Sequence, residues 1–179
     1  MTIAPDTKDW TWVLTRACPE CGLAARDVVR EELAGRVRDA TVPWPPVLAG
    51  ETVRERPAPQ IWSPLEYACH VRDAMRIFHE RVRLMLDQDD PLFASWDQDE
   101  EALTQHYAEQ DPIVVGEQLQ EQGEAFAQTL DGLVDVDWSR PGRRSDGARF
   151  TTETLVQYAL HDFFHHVWDV SGTFTDERH

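Results

Sequence analysis

The residues with most chemical potential in this chain gather in one short run near its end, His161-Asp162-Phe163-Phe164-His165-His166. On a helix turning about 100° per residue, His161 and His165 stand about 40° apart on one face, the i,i+4 geometry that brings two imidazoles to one ion. His166 stands about 140° from His161, so the spacing predicts that it stays out of that pair's ligand set. The residues around the run, Leu155, Val156, Ala159, Leu160, Phe163, Phe164, Val167 and Trp168, are apolar on nearly every side, as in a buried helix. Neutral imidazoles in such a setting need partners for both ring nitrogens.

Two imidazoles do not complete a catalytic metal centre, which takes three protein ligands and keeps one position open. The chain has seven histidines, and elimination points to His70 as the third ligand. His70 shares a helical column with Ile77 and Leu84, beside an apolar stripe, and so can look inward. His79 falls on the side of Arg72, Arg76 and Arg83 and reads as solvated. His106 lies in an acidic segment, and His179 is terminal. Three nitrogen ligands suit Zn²⁺ or Ni²⁺ better than Mg²⁺ or Ca²⁺, which prefer oxygen. Asp162, Asp169, Glu66 and Asp73 are candidates to accept the free ring N–H of a ligand histidine. Arg143, Arg144 and Arg149, just before the histidine run, could pair with a substrate carboxylate. Each of these carboxylates and guanidinium groups is also readable as solvated surface.

The cysteines leave more than one reading open. Cys18-Pro19-Glu20-Cys21-Gly22 has the spacing of half a zinc site, but only Cys69 remains as a further thiol. A four-cysteine site is therefore impossible within one chain. Inert or redox-sensitive thiols, a zinc site completed by histidines or by Cys69, and a working redox pair all fit the spacing.

The elements that must position these groups are helices. Residues 1–26 read as a leader whose Trp10, Trp12, Val13 and Leu14 should pack on the domain. A first helix is predicted from about Val28 to Thr41, broken by Pro43, Pro45 and Pro46. Ser63-Pro64-Leu65-Glu66 is a capping box with proline at the first helical position, opening a helix to about Leu86. Residues 97–109 suggest a short acidic helix. Asp111-Pro112 opens another helix to about Leu130, closed by Gly132. Ser145-Asp146-Gly147 marks a tight turn in a hairpin or loop spanning 138–150. Thr151 or Thr152 caps the last helix, which Gly172 stops near Val170. The sum is an all-α four-helix bundle with a long crossover connection, in a single domain over 1–179 whose bundle spans 27–171.

With 179 residues and 41% hydrophobic content, one core needs no disulfide or metal staple. The net charge of −16 disfavours nucleic acid and anionic membrane surfaces as partners. From Asp87 to Asp137 every charge is acidic, a solvated face or an electrostatic filter against anionic macromolecules. The amino terminus lacks a secretory pattern, no apolar run reaches the length of a membrane span, and cysteine is sparse; these point to a cytoplasmic protein.

At His70 within WSPLEYACHVRD, and at His161 and His165 within YALHDFFHHVWDV, the chain resembles the DinB/YfiT-like superfamily over roughly residues 28–171. Its GRRSDGARF run and Cys-Pro-x-Cys-Gly leader look like one actinobacterial subgroup, although the leader cysteines and the proline break are not part of the general pattern. The resemblance implies a four-helix bundle holding zinc or nickel on His70, His161 and His165, with a fourth position for water. It implies a small-molecule substrate and a thiol S-transferase or isomerase reaction with mycothiol as co-substrate. A metal-dependent hydrolase and a non-catalytic metal-binding protein are the alternatives, and a homodimer is a further expectation.

Overall fold

The computed structural model describes residues 9–172; Lys8 and His179 lie outside them. Proline sets the first break. Helix α1 (Leu33–Asp39) is preceded by a 3-10 turn at Arg30–Glu32, so the first helix is shorter than its periodicity suggests. The chain restarts as α2 (Trp44–Leu48), whose first turn accepts Pro45 because that turn's N–H groups have no helical acceptor anyway.

Helix α3 (Pro64–Asp87) begins at the expected capping box: the Glu66 N–H donates to the Ser63 hydroxyl, and the Ser63 N–H donates to Glu66 at 2.9 Å. Residues 88–111 form the long crossover, carrying α4 (Gln98–Thr104) and a 3-10 turn at Tyr107–Glu109 that packs on α3. Helix α5 (Pro112–Asp131) follows, then a short α6 (Asp135–Trp138) that the sequence pattern did not suggest, being a single turn without periodicity. Strands β1 (Pro141–Arg143) and β2 (Arg149–Thr151) pair antiparallel, with Gly142 opposite Phe150. Helix α7 (Thr152–Ser171) is capped by the Thr151 hydroxyl, which accepts from the Thr154 N–H, and closed at Gly172.

Helix α3 is the central element, packing on α5 and on α7, while α1 packs on α5. Its buried Ala68, Val71, Met75, Phe78, Val82 and Met85 form one apolar stripe at spacings of three and four. With α1 and α2 as one broken helix, the bundle has four members. The leader's Val13, Cys18, Cys21 and Leu23 are buried, and its 3-10 turn at Trp10–Leu14 packs on α7. No helix among the described residues is long and apolar enough to cross a membrane.

Two features of the fold have measurable consequences. A Cβ at Gly142 would meet Phe93 Cζ at 2.5 Å and Met85 Cγ at 2.9 Å, both side chains being buried. Gly142→Ala should therefore lower stability by about 1–3 kcal/mol, the usual cost of overpacking; a thermal melt unchanged from wild type would contradict this.

Glu66, buried behind the cap, is paired with the Arg56 guanidinium. Burial pushes its carboxyl up, but Arg56 and the Ser63 N–H and hydroxyl outweigh this and hold it below the ordinary carboxylate value. A carboxyl depressed by folding stabilises the fold at pH above its unfolded value, about 4.3, and loses that contribution as pH falls through the folded value. Arg56→Ala should thus destabilise by roughly 1–3 kcal/mol at pH 7. The gap from wild type should narrow as the pH falls through the depressed folded value of Glu66, below which the carboxyl is protonated in both proteins. A gap independent of pH would show that the loss is one of packing.

Candidate metal centre

Helix α7 turns its polar run in two directions. Residues 161 and 165 occupy one face, residues 162 and 166 the face about 100° further round. The first face meets the leader and the second meets α3. The described residues consequently hold two groups of potential metal ligands, each with its ligand atoms within 4.8 Å of one another: His70 with Asp162 and His166, and Cys18 with Cys21, His161 and His165. His161 and His165 come together as their spacing suggests. His70 does not join them, because the face of α7 opposite α3 carries Asp162 and His166 instead. His166, set aside at about 140° from His161, is the residue that His70 meets.

In the first group His70 is buried against aromatic rings, while Asp162 and His166 are half-buried. His70 is 0% exposed; it stacks on Trp96 at 5.4 Å and lies 5.2 Å from Trp62 and 4.7 Å from the His166 ring. Neither ring nitrogen of His70 has a hydrogen-bond partner, nor has Asp162 Oδ2, which stands 3.5 Å from His70 Nε2. His166 Nδ1 is 2.8 Å from Asp169 Oδ2, while its Nε2 is 3.5 Å from Asp162 Oδ1. Asp169 thus fixes one edge of the ring and leaves the other facing Asp162. Burial pushes the His166 imidazole down, but Asp162 and Asp169 more than reverse this and hold it above the ordinary histidine value. Burial likewise pushes Asp162 up, and His70 and His166 overcome it to hold the carboxyl well below its usual range. Without a cation, the proton on His166 offsets this carboxylate charge. The unpartnered His70 nitrogens and Asp162 Oδ2, converging with the His166 ring in a half-buried space, fit a divalent cation with two nitrogen ligands and one oxygen ligand.

In the second group all four residues are buried, both thiols are free, and Cys18 Sγ lies 3.8 Å from His165 Nδ1. Burial pushes the Cys21 thiol up to about 12 and, with His165 beside it, the His161 imidazole down to about 4. Cys69 is elsewhere, buried 3.6 Å from Gln110 Oε1.

Several side chains singled out by sequence have other work. Glu66 serves the α3 cap and Arg56. Asp73 pairs with Arg72 and accepts from the Tyr107 hydroxyl. His79 is not solvated: it lies 2.7 Å from the Thr129 hydroxyl and stacks on Phe126. Arg143 and Arg149 both face Asp90. Arg144 does line the cavity described next, paired with Asp146 and donating to Tyr158.

A cavity of about 680 Å³ opens over this end of α7, lined by all four polar side chains of the run, His161, Asp162, His165 and His166, and by Trp62, Trp96, Arg81 and Arg144 among others. Arg81 had no place in the sequence reading. It is half-buried over Phe78 and Phe93 and makes no carboxylate ion pair among the described residues. A signal was present: it follows His70 by eleven residues, about three helical turns, which returns it to nearly the same face. The overlapping pair Asp162 and His166 was legible in the same way. Trp96 comes from the crossover loop, where no periodicity could place it.

The family model of the DinB superfamily matches residues 35–170. A comparison with curated proteins finds no match. Among solved structures the chain is similar to YfiT from Bacillus subtilis, described as a probable metal-dependent hydrolase with an unusual four-helix bundle topology. The TM-score is 0.64 at 18% identity, over 96% of this chain and 91% of that one. It is also similar to the mycothiol-dependent maleylpyruvate isomerase, with a TM-score of 0.61 at 15% identity over 82% of this chain. This chain spans 62% of the isomerase's length. At such identities the likeness is one of fold.

Proposed function

The chain belongs to the DinB superfamily, and on that footing we propose that it is a divalent-metal-dependent enzyme acting on a small carboxylate-bearing molecule. The cation, zinc or nickel, is assigned to His70, Asp162 and His166. His161 and His165, the other members of the ligand set expected from spacing, keep a ligand role beside the cysteines. The observation that carries this reading is the buried His70 with both ring nitrogens unpartnered, facing the equally unpartnered Asp162 Oδ2. Asp162 and His166 also line the cavity, so the group is within reach of a molecule that enters it.

When bound, such a cation supplies Lewis acidity and lowers the pKa of a nucleophile beside it. The chain's own residues bind and orient. Arg81 offers a guanidinium with no carboxylate partner, suited to a bidentate grip on a substrate carboxylate. Arg144 is already neutralised by Asp146. Trp62, Trp96 and Tyr67 supply aromatic walls that exclude water. Asp169 holds His166 by its Nδ1 edge and so fixes its orientation.

For the reaction we favour transfer involving a low-molecular-weight thiol of the mycothiol type, in line with the fold shared with the mycothiol-dependent isomerase. Hydrolysis is the second reading, favoured by the fuller overlap with the probable hydrolase from Bacillus subtilis. A substrate panel run with and without mycothiol separates them, since turnover that needs no thiol is hydrolytic. His70→Ala should lose metal from this group and reduce turnover by at least about 100-fold while retaining the helical fold. Full metal content and full activity in that variant would refute the assignment. Metal without turnover on any substrate would leave a binding protein.

Arg81→Gln should raise KM roughly 10- to 100-fold with a smaller change in kcat, the signature of a binding contact to a charged group. Unchanged KM for carboxylate substrates would remove Arg81 from that role.

A further inference from the structure

We infer that Cys18, Cys21, His161 and His165 form a second metal site, a closed Cys₂His₂ zinc centre that ties the leader to α7. Four donor atoms of the right types lie within 4.8 Å of one another, although the residues come from opposite ends of the chain. Zinc binds sulfur at about 2.3 Å and imidazole nitrogen at about 2.0–2.1 Å, so a tetrahedral site has ligand–ligand edges of roughly 3.3–3.8 Å. The 3.8 Å from Cys18 Sγ to His165 Nδ1 already matches, and the remaining donors need only small movements to close on an ion.

The local backbone is built for this. The Gly22 N–H donates to the Cys18 carbonyl and the Cys18 N–H to the Leu23 carbonyl, each at 2.9 Å, closing a tight turn around the two thiols. Gly22 sits at φ +78°, a conformation that costs glycine little and lets the chain double back directly after Cys21. On the other side, His165 Nε2 faces Glu20 at 3.5 Å and Asp169 at 3.9 Å. Carboxylates on that edge hold a proton on Nε2 and leave Nδ1 free for the metal. His161 Nε2 is buried with no hydrogen-bond partner, a vacancy in bonding that a metal fills.

Charge and softness select the ion. Binding takes one Zn²⁺ and two neutral thiols, forms two Zn–S and two Zn–N bonds and releases two protons, so the centre is formally neutral. A neutral centre suits a site in which all four ligands are buried, because an uncompensated charge there would be costly. Thiolates favour zinc over magnesium or calcium. Four protein ligands leave no open position, which makes the site structural, whereas His70, Asp162 and His166 leave positions free. Trp10 lies 5.3 Å from the His161 ring and 5.4 Å from His165, capping the pair from the leader side.

The test uses the full chain. Elemental analysis should find zinc in protein purified without added metal. After replacement by Co²⁺, the wild type should show a thiolate-to-cobalt charge-transfer band in the near ultraviolet and the intense visible bands of tetrahedral coordination. Cys18→Ser and Cys21→Ser should each lose one equivalent of zinc and the charge-transfer band, and should melt at lower temperature. His70→Ala should keep the band, which separates this site from the one proposed for catalysis: loss of activity in His70→Ala bears on that site alone. If the cysteine variants fail to fold, the wild type decides, since titration with a thiol-modifying mercurial should release one zinc as two thiols react. Absence of the charge-transfer band in cobalt-loaded wild type, full zinc content in both cysteine variants, or a Cys18–Cys21 disulfide in the purified protein would each overturn the inference.

Discussion

Everything distinctive about this bundle follows from placing four polar side chains, His161, Asp162, His165 and His166, among the core residues Leu160, Phe163, Phe164 and Val167 of α7. Each buried polar atom without a partner costs on the order of 1–3 kcal/mol, and more when charged. Replacing the run by hydrocarbon would be the cheaper core. The fold instead surrounds it with groups that answer it: thiols from the leader on one face, His70 from α3 on the other, and Asp169 one turn further along the same helix. The positions of the leader and of α3 relative to α7 are therefore a chemical constraint as well as a packing one.

The two faces differ in kind. Residues 161 and 165 meet sulfur, and all four donors of that group are buried. Residues 162 and 166 are half-buried and meet an imidazole, and the cavity borders side chains of both faces. A rotation of about 100°, the step between neighbouring helical residues, is all that separates a fully buried set of four donors from a half-buried set of three. Two carboxylates accompany the histidines: Asp162 faces His70 and His166, while Asp169 holds His166 and also lies beside His165, and so serves both faces.

The three long helices were legible because local chemistry and long-range packing agree on them. Ser63, Asp111 and Thr151 are side-chain caps at their starts, and the apolar stripe of α3 runs at helical spacing into the core. The histidine pair on α7 was legible for the same reason. Which partner each face would meet was not. That depends on how α7 is rotated about its own axis against α3, and on where a leader more than 130 residues away in sequence comes to rest. Those are properties of tertiary packing, and neither periodicity nor a turn signal encodes them. Short elements such as α6 escaped for a simpler reason: a four-residue helix offers a single turn, too little to show a period.

The acidic balance of the chain acts at the site as well as on the surface. Asp97, Asp99, Asp146, Asp162 and Asp169 all border the cavity, against the guanidinium groups of Arg81 and Arg144. Such a rim draws cations inward and repels large polyanions, whose charges cannot all be matched by two guanidinium groups. A small carboxylate meets a different field, because one short-range contact with Arg81 in a half-buried setting outweighs more distant, partly screened repulsion. An acidic rim of this kind is thus compatible with an anionic substrate, provided that substrate is small enough to sit between Arg81 and the polar run of α7.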